Sequence, residues 1–294
     1  MDRMVDVPHA RLAGRRALVL EPFADELQLG TDAGQPEVDA LTRSGFTVDI
    51  LRNAEVTVAA LLRLSDYSVV YWDTHAAVLD NGDAVVVSGE RAEASYSSYY
   101  QDHSLVQAFV AGDPSKTLYN GVTGQFIAAH LDAFPDDSII FLNGCSALSA
   151  SVFWQDLAAR NVATLISWDE KAQSVSNERA AELVMDRLAL GDTVDKAVAE
   201  ARLAGLGTTI IEGVVAHLGY RGWGGDTLAS ALTGRASDMP TSTPTPTLVP
   251  TPTSAPVPTA TPLPTAAPKP PTPLKKRKRH KCRPGQHRVR GKCR

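Results

Sequence analysis

The sequence lacks several features that would assign a protein to a class directly. No apolar run reaches the ~18 residues of a membrane span, so we expect a soluble chain or one tethered by other means. Residues 1–14 contain no apolar segment of the kind found in secretory signal peptides. There is no G-x-x-x-x-G-K-[ST] loop, which excludes a P-loop nucleotide hydrolase, and no G-x-S-x-G turn of the serine hydrolases.

Acidic and aromatic residues are missing from the C-terminal part of the chain. All 33 Asp and Glu, and every Trp, Tyr and Phe, lie before Pro240, whereas 13 of the 19 prolines fall between Pro240 and Pro273. Residues 1–268 carry 17 Lys and Arg against 33 acids, a net charge of −16, and residues 269–294 carry 12 Lys and Arg and no acid. This asymmetry excludes a single uniform domain, a wholly disordered chain and a basic globular nucleic-acid-binding domain.

These shifts in composition divide the chain into four segments. We predict an N-terminal extension (1–14), an α/β domain (15–236), a Thr/Pro-rich linker (237–273) and a basic, cysteine-containing tail (274–294). The linker cannot form a core, so we expect it to be disordered and extended like polyproline, reaching about 100 Å at ~3.1 Å per residue. Spacers of this composition commonly separate a module from a surface.

Apolar segments alternate with amphipathic ones throughout the α/β domain, and their pattern predicts its strands and helices. The strands are Arg16–Glu21, Phe46–Leu51, Tyr67–Asp73, Ser138–Leu142 and Val162–Trp168; the helices are Pro36–Gly45, Thr57–Leu64, Thr123–Leu131, Leu148–Arg160, Val175–Leu190 and one that starts at Asp192. Asn81-Gly82 predicts a hairpin within Leu79–Glu90, residues 91–120 read as an irregular insertion, and residues 208–236 give no clear pattern. Such alternation predicts a three-layer α/β sandwich with a mostly parallel open sheet.

One histidine and one cysteine come directly after two of these strands. His75 lies in VVYWDTHA and Cys145 in IIFLNGCSA. Ligands bind beyond the carboxyl ends of strands in an open parallel sheet, and adjacent strands lie ~4.8 Å apart, so we expect the two side chains to meet. A histidine can take the proton of a thiol, and the thiolate is a nucleophile. Taken singly, each is more often a buried or hydrogen-bonded structural residue, but their joint placement favours a catalytic dyad.

The surroundings of Cys145 offer two further contributions to catalysis. We expect Ser146 and Ser149 to lie in the first turn of the next helix, whose positive end would then favour a thiolate. The backbone N–H groups of Ala76 and Cys145 are candidates to bind the oxyanion of an acyl-transfer intermediate.

The order strand–His–hairpin–helix–strand–Cys–helix resembles the caspase-like (clan CD) cysteine peptidases. IIFLNGCSALSAS and the elements after it are most similar to the CHAT-domain and gingipain-like group, and the resemblance covers roughly residues 16–205. It implies a caspase-like fold and a cysteine endopeptidase without cofactor or metal, in which His75 is the general base and Cys145 the nucleophile. The chain differs from caspases, because the Q-A-C-x-G signature is absent and 70 residues separate the two candidates.

The resemblance also implies where the substrate side chain is recognised. The pocket is partly built by the loop after the strand that comes next after the cysteine, here Ser167-Trp168-Asp169-Glu170. Trp168 is then expected to wall the pocket, and Asp169 or Glu170 to pair with a substrate Lys or Arg. The competing interpretation is that Asp169 caps the next helix.

We predict structural and not catalytic roles for one further acid and three further histidines of the domain. Asp73 is expected to end its strand and not to orient His75. His103, His130 and His217 have no recognisable acid–base partner, which disfavours a glutamine-amidotransferase-like layout with a histidine downstream of the cysteine.

The basic tail, LKKRKRHKCRPGQHRVRGKCR, allows three interpretations. Cys282 and Cys293 can close a disulfide loop that contributes about 3 kcal/mol, in a tail that binds anionic wall polymers or membranes; similar tails come after Thr/Pro spacers in bacterial surface proteins. Together with His280 and His287 the cysteines can instead form an irregularly spaced zinc set. KKRKRHK can also be a nuclear-localisation or nucleic-acid patch, although the −16 charge of residues 1–268 argues against a nucleic-acid partner.

The sequence supports two hypotheses for function. The first is an endopeptidase that acts on peptides or proteins, cleaves after Lys or Arg and lies on or outside the cell. The second is a catalytically inactive caspase-like binding or scaffold module on the cell surface, suggested by Ala76 and Gly144, where the resembling families usually have Gly and Ala. The linker and tail favour the surface, whereas the lack of a signal peptide favours the cytoplasm.

Overall fold

The computed structural model describes residues 16–25, 32–110 and 115–233 in full, and the backbone of residues 288–289 and 292–293. It divides into two compact units, Met1–Met239 and Pro240–Arg294. In chain order the elements of the first unit are β1 (Arg16–Glu21), α1 (Gln35–Arg43), β2 (Thr47–Arg52), α2 (Val58–Leu61), β3 (Val69–Asp73), β4 (Ala76–Val78), β5 (Ala84–Arg91), α3 (Ser97–Gln101), β6 (Leu105–Phe109), β7 (Leu118–Val122), α4 (Gly124–His130), β8 (Ser138–Asn143), α5 (Ser151–Ala159), β9 (Val162–Trp168), α6 (Ser174–Ala189), α7 (Val194–Leu203), β10 (Thr208–Ile211), β11 (Val214–Gly222) and α8 (Leu228–Thr233).

The main sheet has seven strands in the order β10-β11-β9-β8-β3-β1-β2. The five strands β2, β1, β3, β8 and β9 are parallel, and β11 and β10 continue the sheet in antiparallel fashion. The predicted mostly parallel open sheet is therefore confirmed.

Apolar side chains cover both faces of this sheet. Along β1, Ala17 and Val19 point into the core under α1, α6, α7 and α8, whereas Leu18 and Leu20 point into the core under α2, α4 and α5. Because successive residues of a strand face opposite ways, a strand buried on both faces must be apolar throughout, as this one is from Ala17 to Leu20. The three-layer sandwich is thus confirmed as well.

A second, four-stranded antiparallel sheet has the order β4-β5-β7-β6. The predicted hairpin is confirmed as β4 and β5, with Gly82 at φ +81° in the connecting turn. The prediction that residues 91–120 are irregular is wrong, since they contain α3, β6 and β7. The strands were missed because one polar residue interrupts each short apolar run, Gln107 in β6 and Asn120 in β7. Asn120 is buried and accepts a hydrogen bond from the Tyr100 hydroxyl.

The second unit contains a short antiparallel pair, β12 (Arg288–Val289) and β13 (Lys292–Cys293). The predicted extension 1–14, the linker 237–273 and the other residues of the tail lie outside the described residues. In the part of the chain that the structure describes, no helix combines the length and apolarity needed to cross a membrane.

Candidate active site

The two candidate catalytic residues leave neighbouring strands at the same edge of the main sheet. Asp73 and Asn143, the last residues of β3 and β8, are paired in register. His75 and Cys145 each lie two residues further on. The backbone N–H of Thr74 still donates to the Asn143 carbonyl at 3.4 Å, so the strands remain together as the segments leave the sheet.

Gly144 lets these two segments touch. A Cβ on this residue would lie 2.9 Å from the Thr74 carbonyl oxygen, 3.0 Å from the Ala76 Cβ and 3.8 Å from the Ala76 nitrogen. Any larger side chain would force the backbones apart. The structure therefore brings residues 74–76 and Gly144, which precedes Cys145, into direct contact.

His75 is held from two sides. Its carbonyl accepts a hydrogen bond from the Val87 N–H at 2.9 Å, which ties it to β5. Its ring packs against Phe23, with ring centroids 4.9 Å apart, and Phe23 packs in turn against Tyr119 at 5.2 Å. A cleft of about 410 Å³ lies beside this aromatic pair and is lined also by Asp25 and Glu90.

Cys145 is a half-buried free thiol. Its Sγ donates to the Ala172 carbonyl at 3.8 Å. The prediction that a helix starts beside it is wrong: Ser146 has φ +59°, a single 3-10 turn comes next at Ala147–Ser149, and α5 begins only at Ser151. Because the effect of a helix macrodipole is confined to its first turn, α5 is not a source of thiolate stabilisation.

Trp168 does not wall a pocket. Its side chain is fully buried in the core beneath α6, and its Nε1 donates to Asn143 Oδ1 at 3.2 Å. The alternation of β9 explains the difference, because Trp168 shares the inward face with Ile166. The indole supports the end of β8 and offers no surface to a substrate.

Asp169 is partnered by a residue that the sequence left without a role. Its carboxylate accepts from the backbone N–H of His217 at 2.6 Å and lies 3.2 Å from His217 Nδ1. The expectation that His217 lacks an acidic partner is therefore wrong, and so is the capping of α6 by Asp169, since the N-cap is Gln173. Antiparallel pairing of β11 with β9 brings these distant residues together. Glu170 is exposed, and its carbonyl accepts from the Ser146 N–H.

Four acidic side chains that the sequence analysis did not single out as functional form a buried carboxyl cluster: Glu21, Glu37, Asp73 and Glu178. Glu21 and Asp73 end β1 and β3 on the sheet face that α1 and α6 cover. Both carboxylate oxygens of Glu21 are buried without a hydrogen-bond partner among the described residues. The only available signal was an acid at the end of each apolar run, RALVLE and VVYWD.

Burial governs the ionisation of this cluster. Desolvation, followed by repulsion from Glu178 and Glu37, raises the pKa of Glu21 well above its ordinary value, and desolvation raises the pKa of Glu37 to about 8. Desolvation and the neighbouring Glu21 raise the pKa of Asp73, and desolvation raises that of Glu178. Asn143, two residues before Cys145, donates to Asp73 Oδ1 at 3.0 Å. The cluster thus adjoins the strand ends that carry both candidates.

The remaining histidines of the domain do not form a catalytic relay. Ser104 Oγ and Asp102 Oδ2 both approach the same nitrogen of His130, Nε2, at 3.0 and 3.6 Å. A relay needs the acid on one ring nitrogen and the nucleophile on the other, and Ser104 is fully buried. His103 occupies a turn at φ +63°.

The tail residues stay predictions. Cys282, His280 and His287 lie outside the described residues, and only the backbone of Cys293 is described, in β13. Over residues 16–25, 32–110 and 115–233, no three His, Cys, Asp or Glu side chains are arranged to hold a metal ion.

Comparison with solved structures gives a likeness to a caspase. No family model matches the chain, and no curated protein matches it. The crystal structure of the Drosophila initiator caspase Dronc is similar to this chain with a TM-score of 0.37 and 11% sequence identity, over 74% of this chain and 83% of the caspase chain.

Proposed function

We propose that the first unit is a caspase-like cysteine endopeptidase, most similar to the CHAT-domain and gingipain-like group, with a catalytic dyad of His75 and Cys145. The observation that carries the proposal is the contact between residues 74–76 and Gly144 at the carboxyl edge of β3 and β8. His75 and Cys145 each lie two residues beyond the paired ends of these strands, at the edge where open α/β sheets bind ligands.

In this reaction His75 takes the proton of the Cys145 thiol, and the thiolate attacks the carbonyl carbon of the scissile peptide bond. The N–H groups of Ala76 and Cys145 stabilise the oxyanion of the tetrahedral intermediate. His75 then returns the proton to the departing amine, which leaves an acyl-enzyme. A water molecule, deprotonated by His75, hydrolyses the thioester and releases the acid with the thiol restored.

We further propose that the enzyme cleaves after Lys or Arg. Asp169 and Glu170 were the expected acidic partners, but Asp169 is occupied by His217 and Glu170 is exposed. The buried carboxyl cluster is proposed instead, through its half-buried member, because Glu21, Glu37 and Asp73 are only 1%, 1% and 4% exposed and cannot meet a substrate side chain. Glu178, half-buried, is the member of the cluster nearest to solvent.

A catalytically inactive binding or scaffold module is the second candidate. It is favoured by one observation: the Cys145 thiol donates to the Ala172 carbonyl, as a structural cysteine would. Under this alternative the buried carboxyl cluster would bind a cationic segment of a partner without cleaving it.

The tail gives a proposal for location. Eleven Lys and Arg without any acid in residues 274–294 suit adhesion to an anionic wall polymer or membrane surface. Sedimentation of the full chain with anionic vesicles, reversed by salt, is the expected result. No binding to vesicles or to isolated wall polymer at low salt would contradict it.

A library of Lys- and Arg-containing peptides tests the proposed function directly. We expect Cys145→Ala to abolish cleavage and His75→Ala to lower kcat/KM by about 10²–10⁴-fold, with little change in melting temperature. His130→Ala, a histidine outside the site, is the matched control and should retain full activity. A wild-type chain that is inert across the library, yet still binds basic peptides, would favour the second candidate.

A further inference from the structure

The residues between β9 and α6 form a short connection, the β9–α6 loop (residues 169–173). Its first residue is fastened to β11 at three points. Asp169 Oδ1 accepts from the His217 N–H at 2.6 Å, Asp169 Oδ2 lies 3.2 Å from His217 Nδ1, and the Asp169 N–H donates to the His217 carbonyl at 3.1 Å. This pair of residues therefore joins the start of the loop to β11.

The same loop holds the segment that carries the thiol. Ser149 Oγ donates to the carbonyl of Asp169 at 2.7 Å, and the Ser146 N–H donates to the carbonyl of Glu170 at 3.0 Å. The Cys145 thiol donates to the carbonyl of Ala172 at 3.8 Å. Three carbonyls of one loop thus face residues 145–149, and the position of the thiol depends on the position of the loop.

The Asp169–His217 pair has little to contribute to global stability. The two side chains are 37% and 50% exposed, and ion pairs at such positions contribute about 0–1 kcal/mol. Neither residue belongs to a hydrophobic cluster of the domain. The consequence of the pair is local, in the geometry of the loop that it anchors.

We propose that Asp169 and His217 are positioning residues, which fix the β9–α6 loop so that the Cys145 thiol stays within reach of His75. This inference rests on the proposed peptidase function. Misplacement of a reacting group by about 1 Å can cost up to 10²-fold in rate, so a clamp of this kind acts on turnover more than on substrate binding. It gives Asp169 a role different from the substrate recognition expected from the sequence.

Two measurements on the full chain test the proposal. The first is amide hydrogen exchange at Ser146, whose N–H reports the loop contact without substrate. We expect exchange to be about fivefold faster in His217→Ala, which loses one side-chain hydrogen bond, and faster still in Asp169→Ala, which loses two. The second is peptidase turnover, where kcat should fall in the same order while KM changes by less than about twofold.

Two variants serve as controls. His217→Asn places an amide donor near the position of Nδ1 and should restore both Ser146 protection and kcat. Arg43→Ala removes another exposed ion pair, that of Arg43 with Asp186 at 2.6 Å, and should change neither measurement.

The outcomes separate this inference from the proposed function. If Ser146 exchange is unchanged in both alanine variants, Asp169 and His217 do not fix the β9–α6 loop, whatever the activity. A rise in KM alone overturns positioning and returns Asp169 to substrate binding. If the wild-type chain cleaves nothing, the peptidase proposal fails, whereas faster Ser146 exchange still supports the link from His217 to the thiol segment. Turnover that falls as far in His217→Ala as in His75→Ala overturns positioning, because His217 would then be the base.

Discussion

The two ends of the same parallel strands differ in how their charged side chains are paired. Near the amino end, Arg16 donates to Asp49 at 2.6 Å and to the Tyr67 hydroxyl at 3.0 Å, and Tyr67 donates to Asp49 at 2.9 Å. Burial tends to raise the pKa of Asp49, but the hydrogen bonds from Arg16 and Tyr67 outweigh it and lower the pKa. The charges of Arg16 and Asp49 at this end are therefore paired with each other, and both side chains are partly exposed.

At the carboxyl end, the buried carboxyl cluster places four acids together without an equivalent cation among the described residues. The charge of Arg52 lowers the pKa of Glu21, but it does not compensate the burial. A folded protein retains such an arrangement at a cost in stability, and carboxyl groups with strongly raised pKa values are more frequent at functional sites than elsewhere. The two ends therefore differ in whether their acids are paired with a cation.

The largest expected effect that tests this comparison is the change of the free energy of unfolding with pH. The folded-state pKa of Glu37 is about 8, against 4.5 for an ordinary glutamate, so the folded chain keeps a proton that the unfolded chain has lost between those values. The stability from this group is fully present below pH 4.5 and is lost as the pH rises through 8. We expect the free energy of unfolding to decline over this window by up to about 4 kcal/mol from Glu37 alone.

Denaturant unfolding at pH 5 and pH 9 measures this decline. Glu37→Gln should reduce the decline, because the amide is neutral throughout, and the other acids of the cluster account for what is left. Asp39→Asn, an exposed acid on the same helix, is the control and should leave the dependence unchanged. Equal stability of the wild-type chain at both pH values would contradict the unmatched charge at the carboxyl end.

The next effect concerns the close approach at Gly144. Gly144→Val adds a branched side chain where even a Cβ would lie 2.9 Å from a backbone oxygen, so we expect kcat/KM to fall by about 10²-fold or more as the two segments separate. Ala158→Val adds a branched side chain on the exposed side of α5 and should retain activity. Full activity of Gly144→Val would show that the contact does not position the dyad.

A third variant sharpens the assignment of specificity. Glu178→Gln removes the half-buried carboxyl of the buried carboxyl cluster and should lower the preference for Lys or Arg over Leu by about tenfold, because an amide cannot ionise to pair with a cation. Glu170→Gln, the exposed acid that the resemblance had favoured, should change the preference little. Ratios of kcat/KM on matched peptides measure both, and the reverse pattern would return recognition to the β9–α6 loop.

The smallest effect is expected at the amino end. Arg16→Met breaks the matched charges there, but Arg16 and Asp49 are 35% and 43% exposed, so the loss of stability should not exceed about 1 kcal/mol. Activity should be unchanged. A loss of preference for Lys or Arg comparable with that of Glu178→Gln would remove the distinction between the two ends.

Some of this site could be predicted from the sequence, because it depends on local pattern and topology. Apolar runs predict the strands, and a parallel sheet gathers the residues after those strands at one edge, which is how His75 and Cys145 were selected. The burial of Glu21 could not be predicted in this way, since a terminal acid on a strand is ordinarily solvated. The Asp169–His217 pair was missed for a different reason: it depends on antiparallel pairing across 48 positions in a region without a clear pattern.

The most direct test of the central claim is the rate at which iodoacetamide alkylates Cys145 at pH 7. Site-resolved mass spectrometry separates it from Cys282 and Cys293, and Cys145→Ser gives the background. If His75 activates the thiol, the wild-type chain reacts at least about tenfold faster than His75→Ala, because only the thiolate is nucleophilic. Equal rates in the two chains would contradict the dyad.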